Sequence, residues 1–268
     1  MLRRMRIFVC VKNVPDGQAE RRIEDGRLVR GDDDILNDLD EYAVEAAVQL
    51  VENVGGEVIA VTMGPEGAED SLLRALQMGA DRAIHICDPD LEGTDAPGTA
   101  IVLAAAILKE NSTEPLDLVL TGMASLDGMT SMVPPALAEV LGEPFVGAVD
   151  SIELTDVQHM QVERESNGWH EVIDIELPAV ISVTDQVNEP RFPSFKDLKA
   201  ARNKPIDTVT WAELEQYVPE GIVRELHRTS VISAKPYERG TERIVIEDTG
   251  NAGIELAEYL YKSAGSEG

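Results

Sequence analysis

The residues best suited to hold a ligand run Gly122-Met123-Ala124-Ser125-Leu126-Asp127-Gly128-Met129-Thr130-Ser131. They follow a strand-like Asp117-Leu118-Val119-Leu120-Thr121. They precede a helix entered through Pro134-Pro135 and closed at Gly142. A helix start leaves N–H groups without intrahelical partners and carries the positive end of the dipole, so such a loop can take an anion. In an open α/β sheet, ligands sit outside the carboxyl ends of the strands, near a change in strand order. The alternative is an ordinary βα connection with two turn glycines.

Other chemistry is missing. No Gly-x-Gly-x-x-Gly follows the first strand, and there is no Gly-x4-Gly-Lys-Ser/Thr or Gly-x-Ser-x-Gly. Dinucleotide enzymes of the usual Rossmann type, P-loop NTPases and hydrolase elbows are disfavoured. No His/Cys/Asp/Glu cluster has metal-ligand spacing. Cys10 and Cys87 lie in apolar runs without Cys-x-x-Cys spacing and are expected as buried free thiols. His85 is expected to be structural, and His159 and His170 solvated. No catalytic residue and no metal is assigned. A nucleotide site without a catalytic constellation points to binding or electron transfer.

Composition narrows the partners. The 268 residues carry 50 Asp and Glu against 23 Lys and Arg, a net charge of -27. Nucleic acid needs a basic face and is excluded as a partner. Aromatic residues are only 4%, so aliphatic side chains must fill the core. The basic start Met1-Leu2-Arg3-Arg4-Met5-Arg6 has no long apolar run after it, and no stretch is long enough to span a membrane. A cytoplasmic protein is expected.

The elements that would position the loop alternate. Arg6–Lys12 is a buried strand. Arg21–Glu24 and Arg27–Arg30 flank Asp25-Gly26 as a small hairpin. A helix capped by Asn37 or Asp38 runs to Val54, with Tyr42, Ala43, Ala46, Ala47, Leu50, Val51 and Val54 on one stripe. Strands at Glu57–Thr62, Ala83–Cys87 and Asp117–Thr121 alternate with helices at Glu66–Met78 and Thr99–Lys109. This βα alternation implies a parallel sheet with right-handed crossovers. Phe145–Leu154, Gln158–Glu163 and His170–Leu177 alternate apolar and polar and are expected as antiparallel edge strands. Pro178–Val183 is a further buried strand. A Pro-marked loop, Asp185–Phe195, leads to a basic helix from Lys196 to about Lys204. Residues 1–205 are read as one α/β domain, and 206–268 as an arm on a partner. In the arm, Trp211–Tyr217 and Gly253–Tyr261 are helical pieces and Ser230–Ser233 a short strand. Trp211, Tyr217, Tyr259 and Tyr261 need a cover there.

Four colinear motifs between Arg6 and about Pro205 carry a family resemblance. They are Val9-Cys10-Val11-Lys12-Asn13-Val14-Pro15-Asp16, Leu36-Asn37-Asp38-Leu39-Asp40-Glu41-Tyr42-Ala43-Val44-Glu45, Ala75-Leu76-Gln77-Met78-Gly79-Ala80-Asp81-Arg82 and Asn188-Glu189-Pro190-Arg191-Phe192. With the Gly122–Asp127 loop, the chain resembles the beta subunit of electron transfer flavoproteins, the FixA type. The resemblance implies a doubly wound parallel sheet of the adenine-nucleotide-binding, alpha-hydrolase-like type. It implies a heterodimer with a larger alpha subunit, whose FAD shuttles electrons. The beta subunit buries AMP in the simple carriers. In flavin-bifurcating relatives a second FAD takes that place and NADH, as NAD(H), supplies a hydride pair. Acyl-CoA or other flavin dehydrogenases are the implied partners, with a quinone oxidoreductase as a further one.

Carried over by position, the cofactor contacts fall on Cys10, Asn37, Asp38, Leu39, Asp40, Met63 and the loop from Gly122 through Met132 to Val133. Asp127 and Thr130 are the expected polar anchors. Asp127 should accept from backbone N–H groups or a ligand hydroxyl, since its charge disfavours a phosphate. The sequence departs from the simple carriers at Ala124, at Gly128 and at Ser131-Met132-Val133, where Gln, Asp and Asn-Gln-Thr are usual. The Asp-Gly-x-Thr form resembles the bifurcating group and points to FAD over AMP, with Gly128 leaving space. Partner docking falls on Asn188, Glu189, Pro190, Arg191 and Phe195; the alternative is that Phe195 packs under its own loop. An ATP-using adenine alpha-hydrolase would need a Ser-Gly-Gly-x-Asp-Ser loop where Asn13-Val14-Pro15-Asp16 stands. A stand-alone sensor of the universal-stress type would not need the arm.

Overall fold

The first strand, β1 (Met5–Cys10), is buried along its whole length, as an apolar run must be when helices cover both faces of a sheet. The main sheet is arranged about it in a computed structural model that describes residues 4–18, 22–24, 27–31, 33–156, 158–235, 245, 248 and 250–264. After β1 come four short strands, β2 (Asn13–Pro15), β3 (Ile23–Glu24), β4 (Arg27–Leu28) and β5 (Asp34–Leu36). The expected hairpin is the antiparallel pair β3–β4; its Asp25-Gly26 turn lies outside the described residues. β2 pairs antiparallel with β5.

Helices and strands then alternate. They are α1 (Asp38–Val54), β6 (Gly56–Met63), α2 (Glu69–Met78), β7 (Arg82–Ile86), α3 (Ala96–Asn111), β8 (Leu118–Gly122), α4 (Val133–Leu141) and β9 (Phe145–Val149). Glycines in positive φ stop α1, α2 and α4, at Gly55, Gly79 and Gly142, where a side chain would be strained. α3 begins three residues before the expected Thr99 because Asp95 caps it, accepting from Gly98 N at 2.9 Å. Next come β10 (Ser151–Leu154), β11 (His159–Ser166), β12 (Trp169–Glu176), β13 (Ala179–Val183), α5 (Phe195–Ala201), β14 (Ile206–Val209) and α6 (Trp211–Leu214).

Seven strands form one parallel sheet in the order β14-β7-β6-β1-β8-β13-β9. The chain winds from β1 to β6 and β7 on one side, then crosses to β8 on the other. Strand order therefore reverses at β1/β8. Two apolar layers flank the sheet. Ile7, Val9 and Val11 meet Ala43, Ala47, Leu72 and Leu76 on the α1–α2 face. Phe8 and Cys10 meet Ala100, Ala104, Ile107 and Leu137 on the α3–α4 face. The run Ala104-Ala105-Ala106 lets α3 lie close to the sheet, and small side chains stand in for scarce aromatics.

Three expectations change. Phe145–Leu154 is two strands rather than one. Ala148 takes a φ of 55° and the register of β9 on β13 shifts between Ile181 and Val183, so the chain turns out of the sheet at this bulge. β9 is parallel in the main sheet, while β10, β11 and β12 form a separate antiparallel sheet. Asp150 holds the corner, accepting from Glu165 N at 2.9 Å and from Thr184 Oγ1. Second, the sheet does not end near Pro205: β14 pairs with β7, and Trp211 and Tyr217 pack against the α3 layer. They are covered by this chain itself. Third, Ser230–Ser233 is irregular, not a strand. The basic helix is the shorter α5, started by a reciprocal Ser194–Asp197 capping box.

The chain divides into a unit Met1–Ala234 and a unit Lys235–Gly268. In the second unit α7 (Ala252–Ala264) exposes Ile254, Leu256, Tyr259, Leu260 and Tyr261.

The amino edge of the sheet is tied by Arg6, which is 5% exposed. Its guanidinium donates to Glu110 O at 3.1 Å, to Glu114 O and to Glu110 Oε2 at 2.9 Å, and reaches Glu57 Oε2 at 3.4 Å. It thereby closes the carboxyl end of α3, where a cation opposes the dipole. Arg6→Met should lower stability by about 2–3 kcal/mol, below the range for fully buried pairs because Glu57 and Glu110 still reach water. Chemical denaturation checks this, and an unchanged midpoint would refute it.

Candidate functional site

The β1/β8 reversal places the ends of both strands side by side, with Cys10 opposite Thr121. Both point to the α3–α4 face. Met63, at the end of β6, is half-buried on the same face. Burial, then the nearby Asp40 charge, pushes the Cys10 thiol up to about 12, so it is an inert neutral wall. Cys87 is half-buried and also unpaired. Thr121 Oγ1 is buried and, among the described residues, has no hydrogen-bond partner, a spare polar group beside the strand ends.

Asn37 and Asp40 come to this place but hold the scaffold. Asn37 is fully buried. Its Nδ2 donates to Ala124 O at 3.0 Å, and its Oδ1 accepts from Leu126 N at 2.9 Å. Its own N–H donates to Lys12 O at 2.9 Å. One amide thus joins the end of β1, the start of α1 and the loop after β8. Asp40 accepts from Lys12 N at 2.8 Å and from the Gly122 backbone. Burial raises its carboxyl to about 7 against these hydrogen bonds. A Cβ at Gly122 would lie 2.4 Å from Asp40 Oδ1 and 2.8 Å from the Leu39 backbone, so only glycine fits. Asp38 is exposed.

The loop itself is tightly turned. Met129 and Ser131 adopt φ of 48° and 49°, and Met129 N donates to Ser125 O at 2.8 Å. Left-handed residues beside right-handed ones, such as Ser131 before Met132, turn successive N–H groups into an anion-facing concavity. Such strain in non-glycine residues marks functional loops. Thr130 Oγ1 accepts from Met132 N at 3.4 Å and keeps its own proton to donate. Met129 and Met132 are exposed. Gly128 does not open an empty space: a Cβ there would stand 3.3 Å from Ser125 Oγ and 4.0 Å from Lys12 Nζ. The helix start offers less than expected. Pro134 and Pro135 have no N–H, and Ala136 N is taken by Met132 O at 3.1 Å.

Asp127 has company that sequence reasoning overlooked. Lys12 Nζ lies 2.8 and 2.9 Å from its two oxygens, and Arg30 Nη2 pairs with Oδ2. Gly128 N donates to Oδ1 at 2.8 Å, as expected of a backbone-bound carboxylate. Burial would raise this carboxyl, but the Lys12 charge and hydrogen bonds from Lys12, Ser125 and Arg30 hold it well below the usual range. The available signal was a lysine directly beyond the first strand of a very acidic chain. Arg30 had none, because its approach depends on the β3–β4 excursion.

The expected docking residues separate into two kinds. Asn188 Nδ2 donates to Tyr42 O at 2.9 Å. Arg191 grips Glu45 (2.7 Å) and Glu52 (2.7 Å) of α1. These two residues strap the loop to its own helix. Glu189 is exposed and Pro190 half-buried. Phe195 is 84% exposed and does not pack under the loop; Phe192, not singled out from sequence, is 92% exposed. His85 is buried, with Nε2 3.1 Å from Gly64 O and Pro65 O, while His159 and His170 are exposed. Among the described residues no acidic, Cys or His group could hold a metal, and no helix is long and apolar enough to cross a membrane.

Comparisons with known proteins agree with this architecture. Residues 25–214 match the model of the electron transfer flavoprotein domain. The electron transfer flavoprotein subunit beta of Mycobacterium leprae is 35% identical over 263 residues, covering 95% of this chain and 97% of that protein. Protein FixA of Azorhizobium caulinodans is 38% identical, covering 78% of this chain and 75% of its own length. The caffeyl-CoA reductase-Etf complex subunit CarD of Acetobacterium woodii is 38% identical, with coverages of 75% and 77%. With most of its length matched in both ways, this chain belongs to the electron transfer flavoprotein beta-subunit (FixA) family.

Proposed function

We propose that the chain works in a heterodimer with an electron transfer flavoprotein alpha subunit and binds one adenine nucleotide at the β1/β8 reversal. The observation that carries this is the loop after β8, strained at Met129 and Ser131 and fixed at Ala124 and Leu126 by Asn37, at the carboxyl edge of a parallel sheet. Cys10, Met63 and Thr121 would line the base side, with the spare Thr121 hydroxyl as a hydrogen-bonding group. Loop N–H groups and Thr130 would face the phosphates. The residues present fit such a ligand. A flavin bound with that nucleotide would supply the electron-carrying ring, and this chain's part is to bind and orient. We favour FAD over AMP, on the Asp127-Gly128-x-Thr130 form and the similarity to CarD. In that case NADH is the electron source and an acyl-CoA-linked flavoenzyme the partner.

The test is to denature the purified heterodimer and count what is released. Two FAD and no AMP per heterodimer is the expected result. One FAD and one AMP would keep the site and reject the bifurcating reading; neither nucleotide in this subunit would reject the site. Asn37→Ala should lower occupancy sharply, because Ala124 O and Leu126 N each lose a partner at roughly 1–3 kcal/mol.

The exposed Phe192 and Phe195 support docking of a flavin dehydrogenase on α5 and the loop before it. Phe195→Ala should slow electron transfer at limiting partner concentration, with binding weakened by about 2 kcal/mol and the flavin spectrum unchanged. Unaltered transfer kinetics would remove the proposal.

The second unit, with its apolar α7, is the segment we assign to the alpha subunit. Removing Lys235–Gly268 should abolish or weaken co-purification with that subunit while circular dichroism of the rest is retained. A truncated chain that still assembles at full strength would disprove it.

A further inference from the structure

We infer that Lys12 and Arg30 form a cation pair that receives the phosphate charge of the bound nucleotide, with Asp127 as the carboxylate that holds the pair in place and yields to the ligand. The inference rests on the nucleotide site proposed above and goes beyond it, because neither cation belongs to the loop or to the helix start.

The starting point is a shortage of donors. Pro134 and Pro135 have no N–H, and Ala136 N and Met132 N already have partners, which leaves Val133 N, among the described residues, as the helix start's own donor. The helix start alone is a poor match for a phosphate. The whole chain also repels anions, with 50 acidic residues against 23 basic ones. An anionic ligand therefore needs a local excess of positive charge, and the site has one. Two cations meet a single carboxylate at Asp127, and the nearby Asp40 carboxyl, raised by burial to about 7, offsets them only in part.

Neither cation is spent. The Lys12 ammonium touches Asp127 and Ser125 Oγ (3.4 Å), yet the lysine side chain remains 41% exposed. Arg30 uses Nη1 on Asn13 O at 2.7 Å and Nη2 on Asp127, and a guanidinium has five donors. Asp127, at 7% exposure, is the enclosed member. Its carboxylate keeps both cations directed at the loop without a ligand, so their ordering is already complete when one arrives. Arg30 also brings the β3–β4 hairpin over the strand ends. From the same hairpin Arg27 pairs with Glu92, beyond β7. The hairpin is thus tied to the Asp127 loop through Arg30 and to the segment beyond β7 through Arg27, and a phosphate on Arg30 would fasten it further.

The experiment uses the full chain with its alpha subunit, stripped of the nucleotide in this subunit, and compares adenosine with ADP by calorimetry. In the native protein ADP should bind more tightly than adenosine, with an affinity that falls as salt rises. Lys12→Met should weaken ADP by about tenfold to a hundredfold, the range for a charge-assisted hydrogen bond, and leave adenosine within about twofold. Lys12→Arg should restore most of the loss. Should Lys12→Met fail to fold, Arg30→Gln on the surface hairpin gives the same comparison. Equal weakening of ADP and adenosine, or no change in either, overturns the inference and leaves the nucleotide site standing. If neither ligand binds the native protein, the site and the inference fall together.

Discussion

The Asn37 side chain is the contact on which the rest of this structure depends. It is a fully buried amide whose donor and acceptor are both used on the Ala124–Leu126 backbone. Its own N–H reaches Lys12 O. A loop over strand ends would otherwise leave buried polar backbone unmatched. Here the first residue before α1 supplies the missing partners. Asp40, one turn later, does the same for Lys12 N and Gly122. The reversal of strand order at β1/β8 opens a crevice, and these two side chains give it a defined floor.

Charge follows from that floor. Because Asn37 fixes Ala124 and Leu126, Asp127 is held against Lys12 at the end of β1. Its low carboxyl pKa has a plain cause, two cations outweighing burial. Asp40 sits nearby under the opposite balance, where burial outweighs its hydrogen bonds and raises it to about 7. Two aspartates of one site are thus set apart by environment alone. Asp127 holds the two cations at the loop, and Asp40 ties the strand ends together.

The surface shows a similar separation of duties. Arg191 and Asn188 fasten the segment before α5 to α1, so Phe192 and Phe195 stand on a strapped loop. A fixed loop presents aromatic side chains at less entropic cost than a loose one. The separate unit that carries α7 has its own exposed apolar side chains.

Local sequence determined the parallel sheet. Apolar runs such as Phe8-Val9-Cys10 and Val119-Leu120, spaced by amphipathic helices ending at Gly55, Gly79 and Gly142, leave few other arrangements. It also determined the βα loop as the candidate site, since a strand, two glycines and Pro134-Pro135 are adjacent in the chain. What it could not determine were contacts between distant segments. Alternation alone did not separate β9 from β10, because the bulge at Ala148 depends on pairing with β13. Beyond Pro205 the periodic signal is short, and β14 is recognisable only once β7 offers an edge. The role of Asn37 as a loop anchor, the inward grip of Arg191 and the meeting of Arg30 with Asp127 join residues 87, 146 and 97 positions apart. Hydrogen bonds over such separations exist only after chain closure has been met by the packed core, so tertiary structure alone decided them.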